Sequence, residues 1–98
     1  MTFTSKITRK PYMEAHHLVP IAHQKDMWDK YTINIDCIEN LVSLCPICHK
    51  AFHYGTDEVK NSFIEAVYAK INHKYKAIGF DIDINEIKKC YGIEKEFL

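Results

Sequence analysis

The sequence predicts a small α+β domain: two short strands and a helix that together form one unit, with further helices after it. Three observations carry this. Two β-type runs, 11–17 and 41–45, stand beside prolines; the second leads straight into Pro46, a residue suited to the first turn of a helix; and apolar residues recur at helical spacing from Val59 to Ile78. At 98 residues and 47% hydrophobic, with 3 Gly and 3 Pro, the chain has material for one core and no second, and its composition is that of a folded protein.

Taken in order, Pro11 to His17 reads as a strand, with Tyr12, Met13 and Val19 flanking a run that Pro20 closes. More than twenty residues then separate it from the next strand, longer than an ordinary connection, so this stretch is expected to carry structure or function of its own, including a short helix over Gln24 to Tyr31. Leu41 to Cys45 is the second strand. From Pro46 a helix runs through Ile47, Cys48, His49, Ala51, Phe52 and His53 to Gly55, its C-terminal stop. Thr56 and Asp57 offer an N-cap to a long amphipathic helix built on Val59, Phe63, Ile64, Val67, Tyr68, Ile71, Tyr75 and Ile78, which Gly79 ends. Phe80 to Ile84 reads as extended or turned, and Asn85 to Tyr91 as one more short helix before Gly92. No repeat or linker-like stretch interrupts the chain. The unusual chemistry lies in 1–55, and 56–98 reads as a helical extension packing on it within one compact domain.

Thirteen basic residues against thirteen acidic leave no net field to draw the chain toward nucleic acid or an anionic membrane, so any such contact must be local. The first ten residues lack an apolar core of signal-peptide length, and no apolar run approaches the roughly 20 residues of a membrane span. The expected location is therefore cytoplasmic, with no membrane partner and with reduced thiols. In that compartment the cysteines at 37, 45, 48 and 90 point to metal ligation or redox chemistry rather than to structural staples.

Three motifs bear chemistry, and each also has an ordinary structural reading. His49 and His53 lie four apart on a helix, which stacks both imidazoles on one face where they can share an ion; among 6 His, that spacing also arises by coincidence. Adjacent residues on a strand diverge, so His16 and His17 suit a division of labour in which one binds and the other acts; the alternative is one packed and one exposed histidine. Cys45-x-x-Cys48 is half of a zinc knuckle, or else a pair of small buried apolar side chains. Asn40, before the second strand, taken alone reads as a turn residue.

In combination, Glu14-Ala15-His16-His17-Leu18-Val19-Pro20, Glu39-Asn40-Leu41-Val42 and Cys45-Pro46-Ile47-Cys48-His49-Lys50-Ala51-Phe52-His53 resemble the HNH endonuclease family, and within it the restriction-type members. The resemblance spans about Tyr12 to Gly55. It implies a ββα-metal fold followed here by C-terminal helices, and hydrolysis of DNA phosphodiester bonds. His16, His49 and His53 would be the ligands of one divalent ion (Mg, Mn, Ni or Zn), His17 the general base, and Asn40 the residue that sets the loop holding His17. Chemistry agrees with these roles. An imidazole, with an ordinary pKa of about 6.5, accepts a proton from water near neutrality. A cation with open positions offsets charge building on phosphate and on the departing oxygen. An amide can donate and accept across a loop at once.

Two departures from the family follow. Restriction-type members usually complete a structural zinc site around Cys45 and Cys48 with ligands before the first strand; none stands there, so the expectation is of a piece lacking those ligands, of completion by Cys37 or Cys90, or of simple packing. Charge is the other. Arg9 is the lone arginine, and Arg9, Lys10 and Lys50, with Lys6 and then Lys60, Lys70, Lys74 and Lys76, offer at most a local track for DNA or a set of solvated faces. Weak intrinsic DNA affinity is expected, with recognition supplied by a homodimer partner or an additional domain. A non-catalytic zinc-binding module for nucleic-acid or protein contact is the alternative function. A thiol redox protein is more distant, since the chain is short of the elements such folds use.

Overall fold

The computed structural model describes residues 2–93. Its architecture is mixed α+β. Strand β1 (Glu14–His17) pairs antiparallel with β2 (Leu41–Leu44), His16 opposite Val42 and His17 opposite Leu41. Helix α1 (Gln24–Tyr31) lies in the connection, α2 (Pro46–Tyr54) follows β2 at once, and α3 (Asp57–Ala77) and α4 (Ile84–Cys90) complete the chain. This is the strand, long connection, strand, helix order of a ββα-metal unit, with helices after it.

The local signals explain most boundaries. Pro46 opens α2, whose N-cap Cys45 accepts a hydrogen bond at Sγ from the Cys48 amide at 3.4 Å. The Thr56 hydroxyl accepts from the Val59 amide at 3.3 Å and caps α3. After α3, Gly79 takes φ +73°, the left-handed geometry that glycine adopts without a Cβ penalty. Strand β1 is shorter than the sequence suggests. Pro11 has no amide proton for a ladder and makes only an isolated bridge with Thr4, so regular pairing begins at Glu14.

A single buried cluster draws on both sides of Gly55: Leu18, Val19 and Phe52 from the strand and α2 region pack with Ile64, Ile71 and Tyr75 of α3 and with Phe80, Ile82 and Ile87 beyond it. Of the periodic residues of α3, Ile64, Ile71 and Tyr75 are buried and Phe63, Val67, Tyr68 and Ile78 flank the core, whereas Val59 is exposed. Among the described residues no helix is long and apolar enough to cross a membrane.

Asn40 ties the connection together. It is 1% exposed, and every polar position on its amide is used: Oδ1 accepts from the Val19 amide (2.9 Å) and the Tyr75 hydroxyl (2.5 Å), while Nδ2 donates to the carbonyls of Val19 (3.0 Å) and Ile35 (2.8 Å). One side chain thus joins the exit of β1, the loop after α1 and the end of α3. This pins the backbone two residues beyond His17.

Candidate metal centre

Glu14 and His16 are two apart on β1 and so lie on one face, the face that α2 covers. His16 is 5% exposed, its ring 5.1 Å from that of His49 and 5.3 Å from that of His53, centroid to centroid. The two α2 histidines sit one turn apart with rings 4.9 Å from each other. Together the three rings offer ligand nitrogens that all lie within 4.8 Å of one another. Among the described residues this is the group of three or more His, Cys, Asp or Glu side chains able to share an ion.

Hydrogen bonding shows how the rings are presented. His49 Nδ1 lies 3.0 Å from Glu14 Oε1, and because a carboxylate only accepts, Nδ1 carries the proton and Nε2 the lone pair. That Nε2 faces His53 Nε2 at 3.2 Å. Two nitrogens on one tetrahedral ion, with bonds of about 2.05 Å, stand about 3.3 Å apart, so the α2 pair already has the spacing of two ligands to one cation. The donor set therefore fits a divalent ion that accepts imidazole.

Electrostatics agree. Burial, followed by the neighbouring charges of His49, His53 and His17, holds the His16 pKa down to about 4. His53 is lowered by burial and then by His49 and Lys60. Both shifts favour the neutral imidazole, the form that binds metal. The bond from His49 leads the influences that lower the Glu14 carboxyl, with smaller contributions from Tyr12 and Lys50.

His17 ends β1 and takes different partners from His16. Its Nε2 lies 3.0 Å from Asp36 Oδ1, its side chain is 27% exposed, and it lines a cavity of about 230 Å³ together with Ala15, His16, Pro20, Ile21, His49 and His53. The divergence expected of neighbours on a strand is present, yet both histidines reach the same hollow.

The sequence-derived residues thus divide. His16, His17, His49 and His53 converge, and Asn40 stands behind them in the core. Lys50 and Lys60 come close enough to act on Glu14 and His53. Arg9 and Lys10 are exposed in the turn before β1, and no contact among the described residues ties them to the histidines. Cys45 and Cys48 sit together at the start of α2, where the Cys48 amide draws the Cys45 thiol down to about 7. No described His, Cys, Asp or Glu joins them in a group of three; burial is the leading cause that raises the thiols of Cys37 and, to about 11, of Cys90.

Sequence reasoning assigned no role to Glu14, Asp36 or Tyr91. The two-residue spacing from Glu14 to His16 was a usable signal. Nothing in the spacing of Asp36 or of Tyr91, whose hydroxyl lies 2.7 Å from His16 Nε2, announces either contact.

Comparison with known proteins gives a consistent result. A family described as HNH endonuclease matches residues 3–56. The chain is 33% identical over 66 residues to the type IV methyl-directed restriction enzyme EcoKMcrA of Escherichia coli strain K12, an alignment covering 67% of this chain and 20% of that enzyme. It therefore spans about a fifth of that relative's length. No solved structure matches.

Proposed function

Because this chain belongs to the HNH endonuclease family, we propose that it hydrolyses DNA phosphodiester bonds at the histidine cluster, with His17 as general base and His16, His49 and His53 holding one divalent ion. The observation that carries the reading is the convergence of three ligand nitrogens within 4.8 Å beside a fourth imidazole on the wall of the same cavity. The methyl-directed restriction enzyme among its relatives favours DNA as the substrate.

His17 hands its Nε2 proton toward the Asp36 carboxylate, which leaves the lone pair on Nδ1 as the basic position. A water beside that nitrogen gives it a proton as its oxygen turns on phosphorus, and the imidazolium that forms stays paired with Asp36. Glu14 orients His49, and the buried flank of Phe52, 4.7 Å from the His16 ring, limits the positions that ring can take. A bound divalent cation would supply positive charge for the phosphate and the departing 3′ oxygen. Lys50 and Lys60 add positive potential at the rim for the DNA backbone.

Plasmid nicking under Mg²⁺, Mn²⁺ or Ni²⁺ tests this directly. His17→Ala is expected to abolish cleavage while the variant folds and binds metal, and His49→Ala to lose both metal and cleavage. Cleavage retained by His17→Ala would remove the general-base assignment. A wild-type chain that leaves DNA intact and binds ions only at its cysteines would replace the nuclease with a zinc-binding interaction module.

A further inference from the structure

Tyr91 follows α4, outside the segment 3–56 that matches the family. Its ring rests against Phe52 of α2, centroids 5.8 Å apart. Its hydroxyl meets His16 Nε2 at 2.7 Å, the Leu18 carbonyl oxygen at 2.5 Å and, more distantly, the His17 carbonyl oxygen at 3.5 Å. Proton counting then decides the direction of each bond. A phenol has one proton, a neutral imidazole has one N–H, and a carbonyl oxygen only accepts. Two bare oxygens 2.5 Å apart would repel, so the phenol proton lies toward Leu18. Toward His16 the hydroxyl is left to accept, so Nε2 carries the imidazole proton and the lone pair falls on Nδ1.

We propose that Tyr91 is a positioning residue of the metal centre: its hydroxyl, held by the Leu18 carbonyl, locks His16 as the Nε2–H tautomer and so selects Nδ1 as the nitrogen this ring gives to the ion. Glu14 does the opposite at His49, where Nδ1 carries the proton and Nε2 is left bare. The two locks come from different parts of the chain, one from β1 itself and one from beyond α4. The helical extension thereby supplies a group that acts on the first metal ligand. Outer partners of this kind are worth roughly 10–100-fold in metal affinity.

The tautomer stands on the proton count alone, and its effect on affinity rests on the metal reading proposed above. A long-range ¹H–¹⁵N correlation spectrum of the metal-free, histidine-labelled chain near neutral pH reads the tautomer of each ring. His16 is expected to show a protonated Nε2 and a bare Nδ1. Tyr91→Phe, which removes one oxygen, is expected to give mixed tautomers at His16 and a roughly 10–100-fold weaker Zn²⁺ or Co²⁺ affinity by calorimetry. A wild-type spectrum with the proton on Nδ1 of His16 overturns the proposal, whether or not the variant folds. So does a folded Tyr91→Phe chain with unchanged tautomer and unchanged affinity. A wild-type chain that binds neither ion overturns the metal reading instead, and the metal-free spectrum keeps the two failures apart.

Discussion

Asn40 and Asp36 both stand behind His17, and burial makes them unequal. Asn40→Asp keeps the shape but turns two amide donors into an oxygen facing the Val19 and Ile35 carbonyls, in a site 1% exposed. Each buried group so stranded costs about 1–3 kcal/mol, so the variant is expected to lose about 3 kcal/mol or more, read as a lower urea midpoint. A midpoint within error of wild type would deny Asn40 its structural role. Asp36 is 73% exposed, and a pair of that kind contributes at most about 1 kcal/mol. Asp36→Ala should therefore slow plasmid cleavage by no more than about fivefold, against complete loss for His17→Ala; a drop of several hundredfold would mean that the carboxylate does more than orient the ring. The spacing of the histidines was legible because strand and helix periodicities are local rules, whereas Asn40, a turn residue when taken alone, was singled out only by the family resemblance. Asp36 and Tyr91 reach the site through the path of a loop and the docking of a late helix, which no spacing encodes.

Helix boundaries were legible for a similar reason, since Pro46, Thr56 and Gly79 act on their own neighbours, yet Gly55 stops α2 by a different cause from the one its type suggests. It is not left-handed: φ is −68° and ψ 165°. A Cβ there would fall 2.6 Å from the Ala51 carbonyl oxygen and 2.9 Å from Val59 Cγ1. The first of these is backbone and cannot swing away, so Gly55→Ala must displace the turn between α2 and α3. The expected cost is about 1–3 kcal/mol, seen as a lower melting temperature, with weakened metal binding because α2 carries His49 and His53. Gly79 is the reverse case. At φ +73°, with nothing within 4 Å of where a Cβ would stand, substitution by Ala costs about 1–2 kcal/mol through the backbone alone and leaves metal affinity unchanged. Equal metal affinities in the two variants would show that the α2–α3 turn does not set the histidine pair.

Burying the His16 imidazole against a core that spans both halves of the chain makes overall stability depend on protons. His16 is held near 4 against an ordinary 6.5, first by burial and then by His49, His53 and His17, and His53 is lowered in the same direction. Between those two values the unfolded chain binds the His16 proton and the native chain does not, so stability rises with pH across the window. It is complete above about 6.5 and lost as pH falls toward 4, by about 3 kcal/mol for this one ring. A divalent ion competes for the same nitrogens, so added Zn²⁺ should raise the urea midpoint near neutrality and lose that effect over the same range. Urea denaturation of the metal-free protein across the window measures the slope, and His16→Gln, which cannot titrate, should flatten most of it. A wild-type midpoint that stays level from neutrality to about pH 4 would mean that His16 is readily protonated in the native state, and the neutral His16 ring on which the metal reading depends would not be the form present in solution.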